Sequence, residues 1–302
     1  MRGSLVTVAV AVSLLAGCTS AGSPDTESAS KSKNDEPTTW VYQLEGYPDG
    51  TLDEIVKAPH EAAVIDLARD GGDDYFSKKE ITEVKDSGKT TLSYFSMGSI
   101  EKYRPEYDDI AASDLMLNRW DDWPDENFVK YWEDEWWDKV VRPRLDLSME
   151  AGFDGAYLDV PNAYEDIDLD LVPGETRESL GRKMTDLIIK ISEYTKKREP
   201  DFMVLPQNSP ELREFDGYMD AIDGLGVEDL FFLDSDKPCT EEWCEENLNN
   251  VRAIREAGKL VLSVDYASEE SNIEKACEHY AEEDFAGYVS VVELDRIKPP
   301  CP

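Results

Sequence analysis

From Trp40 onward, short apolar runs rich in β-branched and aromatic residues alternate with longer stretches patterned as helices. The runs cover residues 40–44 (WVYQL), 62–67 (AAVIDL), 90–95 (TTLSYF), 155–160 (GAYLDV), 202–207 (FMVLPQ), 221–227 (AIDGLGV), 260–266 (LVLSVDY) and 287–292 (GYVSVV). Helices are expected over 77–87, 127–151, 176–198, 240–257 and 269–282, whereas 51–58 and 209–218 are short of a full helix. Strand, helix, strand repeated in one chain predicts parallel strands joined by crossover helices. Eight such units closing on themselves give an α/β fold, a single (β/α)8 barrel of the TIM type. An open doubly wound sheet has the same rhythm, but no GxGxxG or phosphate-binding loop follows any of these runs.

The polarity pattern before Trp40 is different. Arg2, an apolar run over 5–15 and then Ala16-Gly17-Cys18 read as a signal peptide of residues 1–17. The run is too short to span a bilayer. Leu14-Leu15-Ala16-Gly17-Cys18 resembles a lipobox, which implies lipidation of Cys18 and an exported protein anchored to the outer face of the cell membrane. Residues 18–38 then form a polar, Ser- and Thr-rich tether, leaving 39–302 as the folded domain.

Charge narrows the choice of partners. Among 302 residues, 31 Lys and Arg face 67 Asp and Glu, a net charge of -36. The 7 Trp, 14 Tyr and 9 Phe supply the core that an acidic disordered chain lacks. Nucleic acid is excluded as a partner, because binding phosphates needs clustered cations. The acids are spread along the whole chain, which favours adaptation to concentrated salt over attraction of a cationic ligand. At about 1 M salt, where the Debye length is roughly 3 Å, only carboxylates in direct contact could recognise a cation.

Apart from Cys18, the cysteines are Cys239, Cys244, Cys277 and Cys301. An even number in an exported chain suits two disulfides, and of the three connectivities we expect Cys239–Cys244 with Cys277–Cys301. Their spacing lacks the paired CxxC of a zinc site, and only His60 and His279 are present, so neither a metal nor a cofactor is expected.

In such a barrel the active site lies at the C-terminal ends of the strands. The residues there are Gln43, Asp66 and Asp70, Asp159, Gln207 and Asn208, Glu228, and Asp265 with Tyr266. An acid directly ending an apolar strand, as in Tyr157-Leu158-Asp159 and Leu225-Gly226-Val227-Glu228, is costly to desolvate without a role. GxSxG and HExxH are absent, and the two histidines sit at positions suited to structure. Carboxylate chemistry remains, and a pair of carboxylates flanking a bond is what glycoside hydrolysis requires.

Seven segments in order, WVYQL at 40–44, VIDL at 64–67, YFSMG at 94–98 with Tyr103-Arg104, GFDGAYLD at 152–159, PQN at 206–208, IDG at 222–224 with Glu228-Asp229-Leu230, and VDY at 264–266, together resemble glycoside hydrolase family 114. The resemblance covers about residues 40–295. It implies a TIM barrel, endo-α-1,4-polygalactosaminidase activity on an amino-sugar polymer, and Asp159 and Glu228 as the catalytic acids. Asp66, Asp70, Tyr94, Arg104, Asn208, Asp265 and Tyr266 are the expected sugar-binding residues, with a structural ion pair the competing reading for Arg104. One departure is Val160-Pro161-Asn162, where Asn162 stands in place of an acid found in many relatives; if that acid holds the sugar's amine, a different or N-acetylated sugar is expected here. Trp132 and Trp136, four residues apart, are expected to pack on the barrel, and Trp120 and Trp123 to lie at the rim where a Trp can stack on a sugar. The chain is expected to act as a monomer. A non-catalytic sugar-binding lipoprotein on the same barrel is the alternative.

Overall fold

The computed structural model describes residues 36–233 and 235–302, and in it each of the eight runs contributes a parallel strand. Cys18, the expected leader and the tether up to residue 35 fall outside the described residues. The last tether residues are tied to the domain, since the Thr38 N–H donates to Glu61 at 2.7 Å.

The first three strands are β1 (Trp40–Gln43), β2 (Ala62–Asp66) and β3 (Thr90–Ser96). An antiparallel sheet follows, of β4 (Ser99–Glu101), β5 (Met116–Arg119) and β6 (Glu126–Val129). The chain then returns to the barrel through β7 (Gly155–Asp159), β8 (Met203–Pro206) and β9 (Gly224–Glu228). A short hairpin of β10 (Phe232–Leu233) and β11 (Lys237–Pro238) precedes β12 (Leu260–Tyr266) and β13 (Ala286–Ser290). Parallel ladders join β1–β2–β3–β7–β8 in one arc and β9–β12–β13 in another. Single parallel bridges, Gln207 to Gly226 and Thr39 to Gly287, link the two arcs into a ring.

Aromatic side chains fill the ring. Trp40 stacks on Tyr42 with centroids 5.5 Å apart and lies within 6.0 Å of Tyr157 and Tyr288. Gly226 makes room for this, because a Cβ there would sit 2.1 Å from the Tyr157 hydroxyl.

The crossover helices include Lys78–Asp86, Arg177–Lys196, Glu242–Glu256 and Glu270–Glu283. The first two begin with capping boxes, Ser77 with Glu80 and Thr176 with Ser179, which satisfy amide groups that a helix start leaves unpaired. The expected helix over 127–151 is only partly present. Residues Glu126–Val129 are a strand paired on both edges, and the helix starts at Asp134, with a π-turn over Trp137–Val141 ahead of Arg142–Ala151. Pro143, which has no N–H to donate, sits at the start of that last segment. Trp132 therefore precedes the helix, packing edge-on against Tyr131, while Trp136 is fully buried and donates to the Met97 carbonyl at 2.9 Å. The start expected at residue 221 also moves, to Gly224, because Tyr218–Ala221 is helical.

The disulfides are Cys239–Cys244 and Cys277–Cys301. His60 is buried edge-on against Tyr288, and burial lowers its pKa to about 4. His279 is exposed and stacks on Phe231. No helix among the described residues is long and apolar enough to cross a membrane.

Candidate active site

Asp159 ends β7 and Glu228 ends β9, with β8 between them in the ring. Two strand spacings of about 4.8 Å put their Cα atoms roughly 10 Å apart, so that inward-reaching carboxyl groups face each other across the end of β8. The backbone turns sharply at all three strand ends. Val160, Asn208, Ser209 and Asp229 have φ between 52° and 68°, a region costly for β-branched Val160. Strain of this kind persists where the surroundings enforce it, and it concentrates at functional sites. Gly98 allows the turn after Asp159, since a Cβ there would lie 2.3 Å from the Val160 carbonyl oxygen.

Each acid is held by a tyrosine. The Tyr94 hydroxyl donates to Asp159 Oδ2 at 2.6 Å, and the Val160 N–H donates to Oδ1 at 2.7 Å. The Tyr266 hydroxyl donates to Glu228 Oε1. Asn208 clamps Glu228 twice, donating from Nδ2 to Oε2 at 3.2 Å and accepting the Glu228 N–H at 2.9 Å. Gln207, beside Asn208, accepts from the Tyr42 hydroxyl at 3.0 Å.

Burial, then the Glu228 charge, raises Asp159 to about 7, against the stabilising bonds from Tyr94 and Val160. Burial raises Glu228 as well, opposed by Tyr266, Asn208 and Gln207. Two acids raised together in one mouth hold a proton between them near neutral pH. That is the state in which one carboxyl can donate a proton while the other acts as a base or nucleophile.

The other expected residues separate into two groups. Tyr94, Asn208 and Tyr266 touch the acid pair directly. Asp66 and Arg104 are buried beside it but bound to each other, with Arg104 Nη2 at 2.8 Å from Asp66 Oδ2 and 2.7 Å from Glu101 Oε1. This is the ion-pair reading of Arg104. Asp70 is not brought to the pair: it is exposed, and its Oδ1 accepts the N–H groups of Gly72 and Asp74 within its own turn. Asp265 is turned away, because side chains alternate along a strand and Tyr266 takes the inner face. Its carboxylate accepts from the N–H groups of Phe231 and Phe232 at 2.8 and 2.7 Å and from the Tyr280 hydroxyl at 2.6 Å. It thereby fixes the loop after Glu228. Trp120 packs on Phe128, and Trp123 is exposed in the turn between β5 and β6.

Three contributors were not singled out from the sequence. Tyr42 lies inside an apolar run and reads there as core. Glu101 stands three residues before Arg104, a spacing that signals an ion pair only once Arg104 is known to be buried. Glu126, in the acid-rich stretch DDWPDEN, carries no local signal.

A model of glycoside hydrolase family GH114 matches residues 22–302. The chain belongs to family GH114. An uncharacterised protein of Thermotoga maritima is 32% identical over 85% of this chain and 82% of its own. The uncharacterised Methanocaldococcus jannaschii protein MJ1477 is 31% identical over 89% of this chain and 80% of its own. In fold, this GH114 chain is similar to the glycoside hydrolase domain of PelA from Pseudomonas aeruginosa, with TM-score 0.66, 16% identity, and 86% and 97% of the two chains covered. It is also similar to Aspergillus fumigatus Ega3, solved as a complex with galactosamine, with TM-score 0.67, 17% identity, and 89% and 98% covered. The fold is the TIM-barrel type of these enzymes, and family membership supports glycoside hydrolase activity and a polysaccharide substrate.

Proposed function

We propose that this chain is an exported, lipid-anchored hydrolase that cleaves an α-1,4-linked galactosamine-type polysaccharide internally, using Asp159 and Glu228. The observation that carries the reading is the pair itself: two strand-end carboxyls facing across β8, both raised, each bonded to a tyrosine hydroxyl. Glu228 donates its proton to the leaving glycosidic oxygen, and Asp159 attacks the anomeric carbon or activates water. Tyr94 and the Val160 amide both donate to Asp159, which favours its ionised form in that step. The amino-sugar choice follows from the galactosamine complex of Ega3 and from the acids clustered near the pair. The lipid anchor and export rest on the sequence around Cys18.

Reducing ends released from a deacetylated α-1,4-galactosamine polymer test this reading. Internal cleavage gives oligosaccharides from the first minutes. Polymer binding with no new reducing ends would instead make the chain a non-catalytic sugar binder.

A further inference from the structure

Glu126 lies directly opposite Glu101 across the antiparallel pair of β4 and β6. Two like charges at such a position destabilise a sheet, so the pair needs a compensating cation. Glu101 has one: Arg104 donates to its Oε1 from Nε at 2.9 Å and from Nη2 at 2.7 Å. The rest of that guanidinium is engaged, with Nη1 donating to Asp66 at 3.1 Å and to the Gly71 carbonyl at 3.1 Å. Arg144 donates from Nη2 to Glu106 at 3.0 Å, its charge also bears on Glu101, and its Nη1 is a buried donor with no partner among the described residues. Among the described residues, Glu126 Oε1 accepts only from hydroxyls, those of Ser99 and, at 3.5 Å, Ser96. Ser96 is the register partner of Asp159, whose charge acts on Glu126.

A second observation is independent of charge. Glu101 is 5% exposed, and its Oε2 is a buried acceptor with no donor among the described residues. An unpaired buried acceptor is costly, and an N–H donor brought against it relieves that cost. Asp66, Glu101 and Glu126 thus gather around one guanidinium, that of Arg104, with Arg144 acting on Glu101 from its pairing with Glu106, so what is short is a cation at Glu126 and a donor at Glu101 Oε2. A primary ammonium group supplies both of the missing elements.

We propose that Glu126 is the specificity-determining residue for a cationic amino group on the sugar, and that it exchanges its proton for that ammonium when the sugar binds. This rests on the amino-sugar reading above. In the free protein, burial first and then the Glu101 charge push the Glu126 carboxyl up to about 8, so it is protonated at neutral pH. The groups acting on it are Glu101 and Arg104 from β4 and its following loop, and Asp159 from β7, while its own charge bears on Tyr94 and Tyr103. On binding, Glu126–COOH and R–NH3+ become an ion pair and one proton leaves to solvent. An N-acetylated sugar carries no charge and drives no such exchange.

Calorimetric titration of the full chain with galactosamine and with N-acetylgalactosamine, in two buffers of different ionisation enthalpy, tests this. For the wild type, galactosamine should release about one proton near pH 6, turning to uptake by pH 9, where Glu126 is ionised and the amine neutral. Glu126→Gln should abolish most of that release and weaken galactosamine at least tenfold while moving N-acetylgalactosamine less than twofold. Equal weakening of both sugars, or unchanged proton release, would overturn the proposal, as would a wild type that binds no galactosamine. Should Glu126→Gln fail to fold, carboxyl-carbon NMR of the wild type, assigned with Glu126→Asp, serves instead: galactosamine at pH 6 must move the Glu126 signal to its ionised position. Polymer cleavage is measured separately. Cleavage without proton exchange refutes the role of Glu126 alone, and proton exchange without cleavage refutes the hydrolase alone.

Discussion

Asp159 and Glu228 were legible in the sequence because each interrupts an apolar strand at its last position, where an acid has a cost and a barrel has its mouth. Glu126 was not, because what sets it apart is Glu101 on a neighbouring strand, 25 residues earlier in the chain. Asp265 shows the opposite failure. It lies one residue before the end of the same kind of strand, and the alternation that puts Tyr266 against Glu228 turns Asp265 outward to Tyr280. The raised pair leads to a pH prediction. Asp159 near 7 and Glu228, raised with it, titrate as one pair, and the alkaline limb reports the loss of the last proton they share, the proton Glu228 carries when it acts as the acid. The active form keeps one proton, so kcat/KM should be bell-shaped and fall as pH rises through about 7. Tyr94→Phe removes a donor to the ionised carboxylate, raises Asp159 further and should move that alkaline limb to higher pH. A profile flat from pH 5 to 9, or a limb unmoved by Tyr94→Phe, contradicts the assignment.

The eight barrel strands were readable because buried parallel strands are continuous apolar runs. The antiparallel sheet of β4, β5 and β6 was not, because strands of three or four residues give too little alternation to stand out from a helical pattern, and the Trp-rich stretch that follows does form a helix. That sheet carries Glu101 and Glu126, so the part of the site least visible in the sequence sits on the element least visible in the sequence. The disulfides act at this scale as well. Cys277–Cys301 ties the Glu270–Glu283 helix to the C-terminal segment across 24 residues, whereas Cys239–Cys244 spans 5. Chain entropy makes the longer closure worth about 3.5 kcal/mol and the shorter about 2 kcal/mol. Chemical denaturation should therefore find Cys277→Ser with Cys301→Ser the more destabilised double variant. The reverse order would show that the shorter loop holds native structure beyond its own closure.

Over the whole molecule, the net charge of -36 sets the conditions under which the fold holds. Exposed carboxylates spread over the surface repel one another, and salt screens that repulsion by shortening the Debye length from about 10 Å at 0.1 M to about 3 Å at 1 M. The melting temperature should rise across that range. A melting temperature independent of salt would remove salt adaptation as the reason for the acidity. The buried site is screened far less than the surface, so recognition by contact carboxylates survives in concentrated salt where long-range steering does not. The central claim is that Asp159 and Glu228 together break a glycosidic bond, and the most direct test is kcat/KM on deacetylated galactosamine polymer for wild type, Asp159→Asn and Glu228→Gln. With folding verified by circular dichroism, we predict that each variant falls at least 100-fold, about 2.7 kcal/mol of barrier. Glu228→Gln should keep activity on an aryl glycoside whose leaving group needs little protonation, and Asp159→Asn should lose it. Folded variants that cleave polymer within about tenfold of wild type, about 1.4 kcal/mol, would contradict the assignment.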